Sequence, residues 1–451
     1  MKFLEKEEVF KQICSASLQG TLGLFAGAGL TKALLEDQHE YQSYSWGELL
    51  KTCCAQMDVN LDVLERSKSY PELASMICKE HAVSKDVAIA ESVALLKATI
   101  AKIITAYPPE SVQKTFKEYF DKLNFEWIVT TNYDTMIEAL LPGRAFPLTR
   151  GNSFIKINHL TPVYHMHGIK TDPDSIIITN EDYVSLFRPN DYWQSRLPFL
   201  MKESLVLMIG YAFGDINVIT AVDWSKNVYN GAAAGCDLQT QIVQLLYTSN
   251  PKEKPYHDAS GIIIFEIDDL NTLFDDLIAF FNNHKCEYDK KAKVVHEYIE
   301  SFSSDDDYIS EFINEKSFRE KVIKEVDSLP PEFQYIYPSY ISFLKRVNQI
   351  LREKSSKSGA FEAYNEHLIL LLDIIENMSK RHMPVAFFQL VADSLDLLAY
   401  HIGDSIGKAW SAYATWNERK NSIPKDFLVE LNHYTAAKFG SSKLQKLIQD
   451  L

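Results

Sequence analysis

The stretch TLGLFAGAGLT, residues 21–31, joins an apolar run to a glycine-rich turn. Its first six residues show no polar alternation, which is typical of a strand buried on both faces of a sheet. The following GAGLT segment opens a helical pattern. Glycines let a backbone turn sharply and approach a phosphate, and phosphates bind well at a helix N-terminus. The stretch therefore predicts either a phosphate-binding strand-to-helix turn or a tight turn with a purely structural role.

Four further apolar runs follow this first strand, and helical patterns separate them. They are Glu126–Thr131 (EWIVTT), Leu205–Ile209 (LVLMI), Gln241–Tyr247 (QIVQLLY) and Gly261–Ile267 (GIIIFEI). Alternating buried strands and helices predict a doubly wound, Rossmann-like α/β domain with a mostly parallel sheet. The helical stretch from about residue 46 to 123 predicts an insertion that caps this sheet.

From about residue 290 the pattern becomes wholly helical. The polar, acidic segment SFSSDDD (301–307) predicts a hinge, and the turn signals 355–359 and 421–424 separate the amphipathic patterns that follow. Those patterns predict helices over 340–353, 360–379, 384–401 and 425–439. We therefore expect two domains, 1–289 and 290–451. The second is expected to mediate oligomerisation or to sense a partner or trigger, although a purely packing role is an equal alternative.

Composition narrows the function classes. The formal net charge of −15 disfavours nucleic acid as the main partner, because an acidic surface repels phosphate backbones. None of the six cysteines forms a C-x-x-C pair, so no zinc ribbon is expected. The N-terminus is charged rather than signal-like, and Asp393 and Asp396 interrupt the longest apolar stretch. We expect a soluble, cytoplasmic protein without a membrane partner.

Three polar motifs follow the predicted strands or apolar residues. They are TTNYD (130–134), HMHG (165–168) and GYAFGD (210–215). Side chains at the carboxyl ends of parallel strands point into the crevice where open α/β sheets bind ligands. Each motif also has a structural interpretation: helix caps for the first, a structural or surface histidine for the second, and a tight turn for the third.

The order of these motifs after GAGLT resembles the sirtuin family. More narrowly, it is similar to the sirtuin-like NAD-hydrolysing domains of bacterial anti-phage defence proteins. The resemblance covers about residues 10–285, and the SWGELL stretch at 45–50 is also similar to that subgroup.

The resemblance implies roles for individual residues. Asn132 would contact the nicotinamide ribose and position water, Asp134 would hold the nicotinamide carboxamide, and His167, rather than His165, would be the catalytic histidine. Ala28, Gly29 and Thr31 would contact the NAD+ phosphates. The full set of implied NAD+-binding residues is Gly27, Ala28, Gly29, Thr31, Thr131, Gly210, Tyr211 and Asp215.

The sequence also departs from deacylating sirtuins. Their four zinc-binding cysteines are missing, since no cysteine lies between His167 and Cys236, and the D-F-R element after the glycine loop is absent. We therefore expect NAD+ hydrolysis without zinc. The alternatives are an ADP-ribosyltransferase or deacylase and a non-catalytic NAD or ADP-ribose sensor. Expected partners are a second copy of the chain, an ATPase, nuclease or Argonaute of the same defence system, or a phage-derived trigger.

Overall fold

The computed structural model describes residues 2–35, 44–60, 69–152, 157–186, 192–211, 242–259, 261–357, 361–437 and 443–448. The chain divides into two compact units, Met1–Cys286 and Glu287–Leu451. The division falls within one helix, Leu270–Ser304, as does the predicted boundary between residues 289 and 290. The roles assigned to the two domains remain predictions.

The described part of the first unit contains an eight-stranded, mostly parallel sheet. In chain order its strands are β1 (Leu22–Ala26), β2 (Trp127–Thr130), β3 (Ala145–Leu148), β4 (Thr161–His165), β5 (Leu205–Ile209), β6 (Ile242–Tyr247), β7 (Tyr256–His257) and β8 (Ile263–Ile267). Their order across the sheet is β3-β4-β2-β1-β5-β6-β8-β7. Only the short β7 pairs in the antiparallel sense. The predicted α/β class with a mostly parallel sheet is confirmed.

Strand β1 lies at the point where the strand order reverses. Its last residue, Ala26, pairs with Thr130 of β2 on one side and with Ile209 of β5 on the other. The chain segments that leave these three strands therefore start next to one another. Such a switch point is where open α/β sheets bind ligands.

Ten helices begin within the described residues of the first unit. They are α1 (Lys6–Gln19), α2 (Ala28–Leu35), α3 (Trp46–Met57), α4 (Tyr70–Lys85), α5 (Ile89–Ile103), α6 (Glu110–Leu123), α7 (Met136–Leu140), α8 (Asn180–Leu186), α9 (Tyr192–Glu203) and α10 (Leu270–Ser304). Helices cover both faces of the sheet. Residues of α1, α6 and α10 pack with Leu24 of β1, whereas residues of α9 pack with the neighbouring Phe25.

Helices α3, α4 and α5 form a cap with a core of its own, which also takes in Tyr133, Ile176 and Ile178. Helix α6 does not belong to this cap, because Phe116 and Phe120 pack into the core on one face of the sheet. The described helices over 46–123 thus pack into two different cores, and the extent of the predicted insertion stays a prediction.

The described residues of the second unit form helices joined by turns and short loops. After α10 come α11 (Asp306–Asn314), α12 (Lys316–Asp327), α13 (Tyr337–Ser355), α14 (Phe361–Asn377), α15 (Val385–Ala399), α16 (Trp410–Arg419), α17 (Lys425–Ala437) and α18 (Lys443–Ile448). The four predicted helices correspond to α13, α14, α15 and α17. None of the described helices in the chain is both long and apolar enough to cross a membrane.

The predicted hinge over 301–307 was wrong. Helix α10 continues to Ser304, and the chain is non-helical only at Asp305 before α11 begins. The Asp305 carboxylate accepts a hydrogen bond from the Tyr308 N–H at 2.9 Å and so caps α11. Acidic residues favour a helix N-terminus, so the same charges that indicated a hinge instead stabilise the start of a helix.

A buried ion-pair network links three helices of this second unit. Arg319 of α12 donates from Nε and Nη2 to Asp373 Oδ2 of α14, at 2.8 and 2.6 Å. Arg419 of α16 donates from Nη2 to the other oxygen, Asp373 Oδ1, at 2.7 Å. The Asp373 side chain is completely buried, so both of its oxygens depend on these donors.

We expect Asp373→Asn to destabilise the second unit by about 3–5 kcal/mol, because it leaves Arg319 buried without its counter-charge. Urea unfolding, monitored by hydrogen exchange over residues 316–377, measures this loss of stability. The control is Glu320→Gln, which removes the i,i+4 ion pairs with Lys316 and Lys324 and should cost less than about 1 kcal/mol. Equal effects of the two substitutions would contradict a structural role for the buried network.

Candidate active site

The loops that follow β1 and β5 are in direct backbone contact. The Gly27 N–H donates to Ile209 O at 2.9 Å, and the Gly29 N–H donates to Gly210 O at 2.8 Å. A Cβ atom at Gly210, where φ is +66°, would lie 1.9 Å from the Leu30 nitrogen. The glycines therefore have a packing role that sequence analysis treated only as an alternative. The Gly27 and Gly29 N–H groups are thus engaged by Ile209 and Gly210, and a contact of these residues with the NAD+ phosphates stays a prediction.

A cavity of about 990 Å³ opens beside these loops. Six of the predicted site residues line it: Ala28, Gly29, Thr131, His167, Gly210 and Tyr211. The carbonyl of Tyr211 accepts a hydrogen bond from Gln244 Nε2 at 3.1 Å, which fixes Tyr211 next to Gly210. The structure thus brings residues from four separate segments of the sequence to one concave surface at the switch point of the sheet.

A smaller cavity of about 110 Å³ is lined by three other predicted residues, Thr31, Asn132 and Asp134. It shares Ala28, Thr131 and Trp46 with the large cavity, so the two adjoin. The predicted residues are therefore brought together in two groups. Gly29, Gly210 and His167 line the large cavity, Asn132 and Asp134 line the small one, and Thr131 lines both.

Thr31 connects the polar side chains of the small cavity. Its hydroxyl donates to Asp134 Oδ2 at 2.9 Å and accepts a hydrogen bond from Asn132 Nδ2 at 3.1 Å. The other Asp134 oxygen, Oδ1, accepts from the Met136 N–H at 3.0 Å. Thr31 is buried, so its hydroxyl orients Asn132 and does not face the large cavity. This placement differs from the phosphate contact that the family resemblance implied.

Asp134 is largely buried where it lines the small cavity. Only 7% of the residue is exposed, and burial raises the pKa of its carboxyl, partly offset by the hydrogen bonds from the Met136 N–H and the Thr31 hydroxyl. A buried carboxyl with both oxygens already accepting hydrogen bonds is well suited to fixing its neighbours. Its geometry therefore supports a positioning role for Asp134.

The two histidines of the HMHG motif occupy different environments. The His165 ring is within hydrogen-bonding distance of Glu138 Oε1 (2.8 Å) and Asn132 O (3.3 Å), and its side chain is completely buried. His167 lines the large cavity, with its ring edge-to-face against Tyr183 at a centroid distance of 5.4 Å. The geometry therefore gives His165 a structural environment and brings His167 to the site.

Gly168 allows the chain to place His167 there. Its φ is +87°, and a Cβ at this position would lie 2.2 Å from Ser175 O. The His167 carbonyl accepts a hydrogen bond from the Ile177 N–H at 2.8 Å. The returning segment 175–177 thus packs against the His-Gly pair, and only glycine fits without displacing it.

The large cavity also has lining residues that were not predicted as site residues. They are aromatic or polar side chains from several elements: Lys32, Trp46, Ser69, Tyr70, Asn180, Tyr183 and Tyr247. The Trp46 and Tyr70 rings are stacked, with centroids 5.9 Å apart and planes inclined by 14°. The SWGELL resemblance drew attention to Trp46. Nothing local in the sequence indicates Tyr70 or Tyr183, because both reach the cavity only through tertiary packing.

Of the two remaining predicted residues, Gly27 lines neither cavity, and Asp215 lies outside the described residues, as does Cys236. Within the described parts of the chain, no three His, Cys, Asp or Glu side chains are grouped in a way that could hold a metal ion.

A comparison with known protein families matches part of the chain. Residues 126–262 match the SIR2-like domain. This region runs from the start of β2 to the start of β8 and contains Asn132, Asp134, His167 and Gly210. A SIR2-like domain supports an NAD-related activity in general and a sirtuin-like, Rossmann-like fold for this part of the chain. A comparison with curated proteins found no match.

The raised pKa of Asp134 predicts a measurable pH effect on stability. The folded chain holds the Asp134 proton more tightly than the unfolded chain, whose Asp pKa is about 3.9, so stability is lost as the carboxyl ionises. We expect the free energy of unfolding of the wild type, relative to Asp134→Asn, to fall as pH rises from the unfolded towards the folded pKa. Urea titrations at a series of pH values measure this difference.

Asp58→Asn provides a control of opposite sign. Asp58 is exposed, and its hydrogen bond with Lys85 lowers its pKa, so its stabilising contribution is lost as pH falls. The wild type should therefore gain stability relative to Asp58→Asn as pH rises. If the wild type also gained stability relative to Asp134→Asn as pH rises, the hydrogen bonds of Asp134 would lower its pKa by more than its burial raises it.

Proposed function

We propose that the protein binds NAD+ in the large cavity and hydrolyses the nicotinamide–ribose bond, releasing nicotinamide and ADP-ribose. One observation carries this proposal. Several polar or glycine-rich segments meet at the switch point of a parallel sheet. They are the glycine loops after β1 and β5, His167 after β4, and the cluster that Asn132 and Asp134 after β2 form with Thr31 of α2. The SIR2-like match over residues 126–262 adds support for the use of NAD.

The cavity suits a dinucleotide in size and chemistry. Its volume of about 990 Å³ lies at the upper end of the range for small-molecule sites. Tyr70, Tyr183 and Tyr211 line it and can pack against planar bases, while Asn180 and Ser69 supply polar groups. The smaller cavity beside it would receive the nicotinamide end, where Asn132 and Thr131 are within reach.

The proposed reaction needs little acid catalysis. Nicotinamide leaves as a neutral molecule when its bond to the anomeric carbon breaks, and positive charge develops on the ribose in an oxocarbenium-like state. Water then adds its oxygen to that carbon and gives up one proton. His167 is proposed to accept this proton, or one from a ribose hydroxyl, and Asn132 to orient the ribose and the water.

Asp134 is given an indirect role in this proposal. Both of its oxygens accept hydrogen bonds from Thr31 and Met136, so it would act by holding Thr31, which in turn orients the Asn132 amide. A direct contact with the nicotinamide carboxamide, as the resemblance implies, would require one of these oxygens to accept a further hydrogen bond.

The biological setting of this proposal comes from the motif resemblance alone. We propose that the hydrolase acts in anti-phage defence by depleting NAD+, and that residues 287–451 mediate self-association or respond to a partner or trigger. Following NAD+ in cells during infection tests this part of the proposal. An unchanged NAD+ level in infected cells that express the protein would contradict it.

We expect His167→Ala and Asn132→Ala each to abolish most NAD+ cleavage while the fold stays intact. Loss of a positioned general base typically slows a reaction by about 10²–10⁴-fold. Chromatography of nicotinamide and ADP-ribose after incubation with NAD+ measures the rate. The control is His257→Ala, which removes a partly exposed histidine at the β7 edge and should retain the parental rate.

The same assay separates the alternatives. Nicotinamide release with the label transferred to protein would indicate an ADP-ribosyltransferase. NAD+ binding without nicotinamide release, both alone and in lysate from infected cells, would indicate a sensor. Cleavage by His167→Ala at the parental rate would remove this residue from the proposed mechanism.

A matched pair at Thr31 tests the positioning of Asn132. Thr31→Ser keeps the hydroxyl that joins Asn132 to Asp134, whereas Thr31→Val removes it and leaves Asp134 Oδ2 buried without this donor. We expect Thr31→Val to lower kcat about tenfold or more, and Thr31→Ser to retain most of the activity. Equal kcat values for the two variants would exclude the hydroxyl as the link.

A further inference from the structure

We propose that the Lys32 ammonium group binds the pyrophosphate of the nucleotide and is the main electrostatic anchor of the large cavity. This inference rests on the proposed function and identifies a residue that neither the motifs nor the family comparison assigned. Lys32 is proposed to bind the anionic part of the ligand, whereas His167 and Asn132 are proposed to act where the nicotinamide–ribose bond breaks.

Helix α2 presents one face to the cavity. Ala28, Gly29, Lys32 and Ala33 line it, and they fall on one side of the helix at i, i+1, i+4 and i+5. Leu34 on the opposite side is buried in the core beneath the sheet. The backbone of Lys32 is thus fixed by packing, while its exposed side chain lies one helical turn beyond the loop that approaches the site.

The charges around the large cavity favour Lys32 as the group that attracts an anionic ligand. The chain carries a formal net charge of −15, which opposes the approach of an anionic ligand. Among the described residues that line the large cavity, Lys32 is the only lysine, arginine, aspartate or glutamate. A single ammonium group in a cavity of otherwise uncharged or histidine side chains is well placed to bind a phosphate.

The glycine loop strengthens this argument. In many nucleotide sites, glycine-loop N–H groups hold the phosphates. Here the Gly27 and Gly29 N–H groups donate to Ile209 O and Gly210 O. Both amides are therefore engaged within the fold, and Lys32 is a cation on the same helix.

The acidic neighbour of Lys32 does not remove it from this role. Hydrogen bonds from Ser45 chiefly lower the pKa of Glu48, and the Lys32 charge contributes more weakly. The Glu48 carboxylate accepts from the Ser45 N–H at 2.8 Å and from its hydroxyl at 2.7 Å, as the capping box of α3. Glu48 is thus held at the helix start by Ser45.

Isothermal titration calorimetry with ADP-ribose and with adenosine tests the inference, because only ADP-ribose carries the pyrophosphate. We expect Lys32→Gln to weaken ADP-ribose binding about tenfold or more and to leave adenosine binding unchanged. Lys32→Arg, which keeps the charge, should retain most of the affinity. The salt dependence of ADP-ribose binding should also become shallower in Lys32→Gln.

Lys51→Gln is the charge-matched control, because Lys51 is an exposed residue of α3 that lines neither cavity. If Lys51→Gln weakens ADP-ribose binding as much as Lys32→Gln does, the overall charge of the chain explains the loss, and the inference of a direct Lys32 contact is overturned. Equal losses for ADP-ribose and adenosine in Lys32→Gln would show that Lys32 acts on cavity shape, which overturns the inference. Tight ADP-ribose binding by Lys32→Gln overturns it while leaving the proposed NAD+ site intact. Failure of the wild type to bind ADP-ribose or NAD+ overturns both.

Discussion

The close approach of the loops after β1 and β5 is the constraint on which the site depends. Gly29 donates to Gly210 O at 2.8 Å, and any side chain at Gly210 would collide with the backbone at Leu30. Only this contact lets α2 begin directly above the switch point, with Thr31 facing inwards and Lys32 facing the cavity. Since interiors are close-packed, a displacement of α2 here would shift both the Thr31–Asn132–Asp134 cluster and the cavity wall.

This constraint places the polar groups of α2 in two different environments, one buried and one open to the cavity. The buried side of α2 supplies Thr31, which joins Asn132 and Asp134 in a network with fixed geometry. The open side supplies an exposed cation. The cap adds Trp46, which lines both cavities and stacks on Tyr70, so the aromatic wall and the polar cluster share one boundary. Buried groups would thus set orientation, and exposed groups would set affinity for the ligand.

The sequence predicted the central strands because β1, β2, β5, β6 and β8 are continuous apolar runs. It missed β4, whose residues 161–165 include a proline and end in histidine, and β3, an edge strand that is partly exposed. The candidate site residues could be identified from the order of the motifs. Their individual contacts could not, because Thr31 and Asp134 are 103 residues apart and Gly29 meets Gly210 only after the sheet has formed. The acidic 301–307 segment misled for a related reason, since Asp305 is both a polar loop residue and a good helix cap.

A crystal structure of the His167→Ala variant with NAD+ would show directly whether the large cavity is the NAD+ site. We expect density in the large cavity, with the pyrophosphate beside Lys32 and the nicotinamide ribose between position 167 and Asn132. NAD+ bound elsewhere on the chain, or bound in the cavity with its nicotinamide directed away from Asn132, would rule out the proposed site.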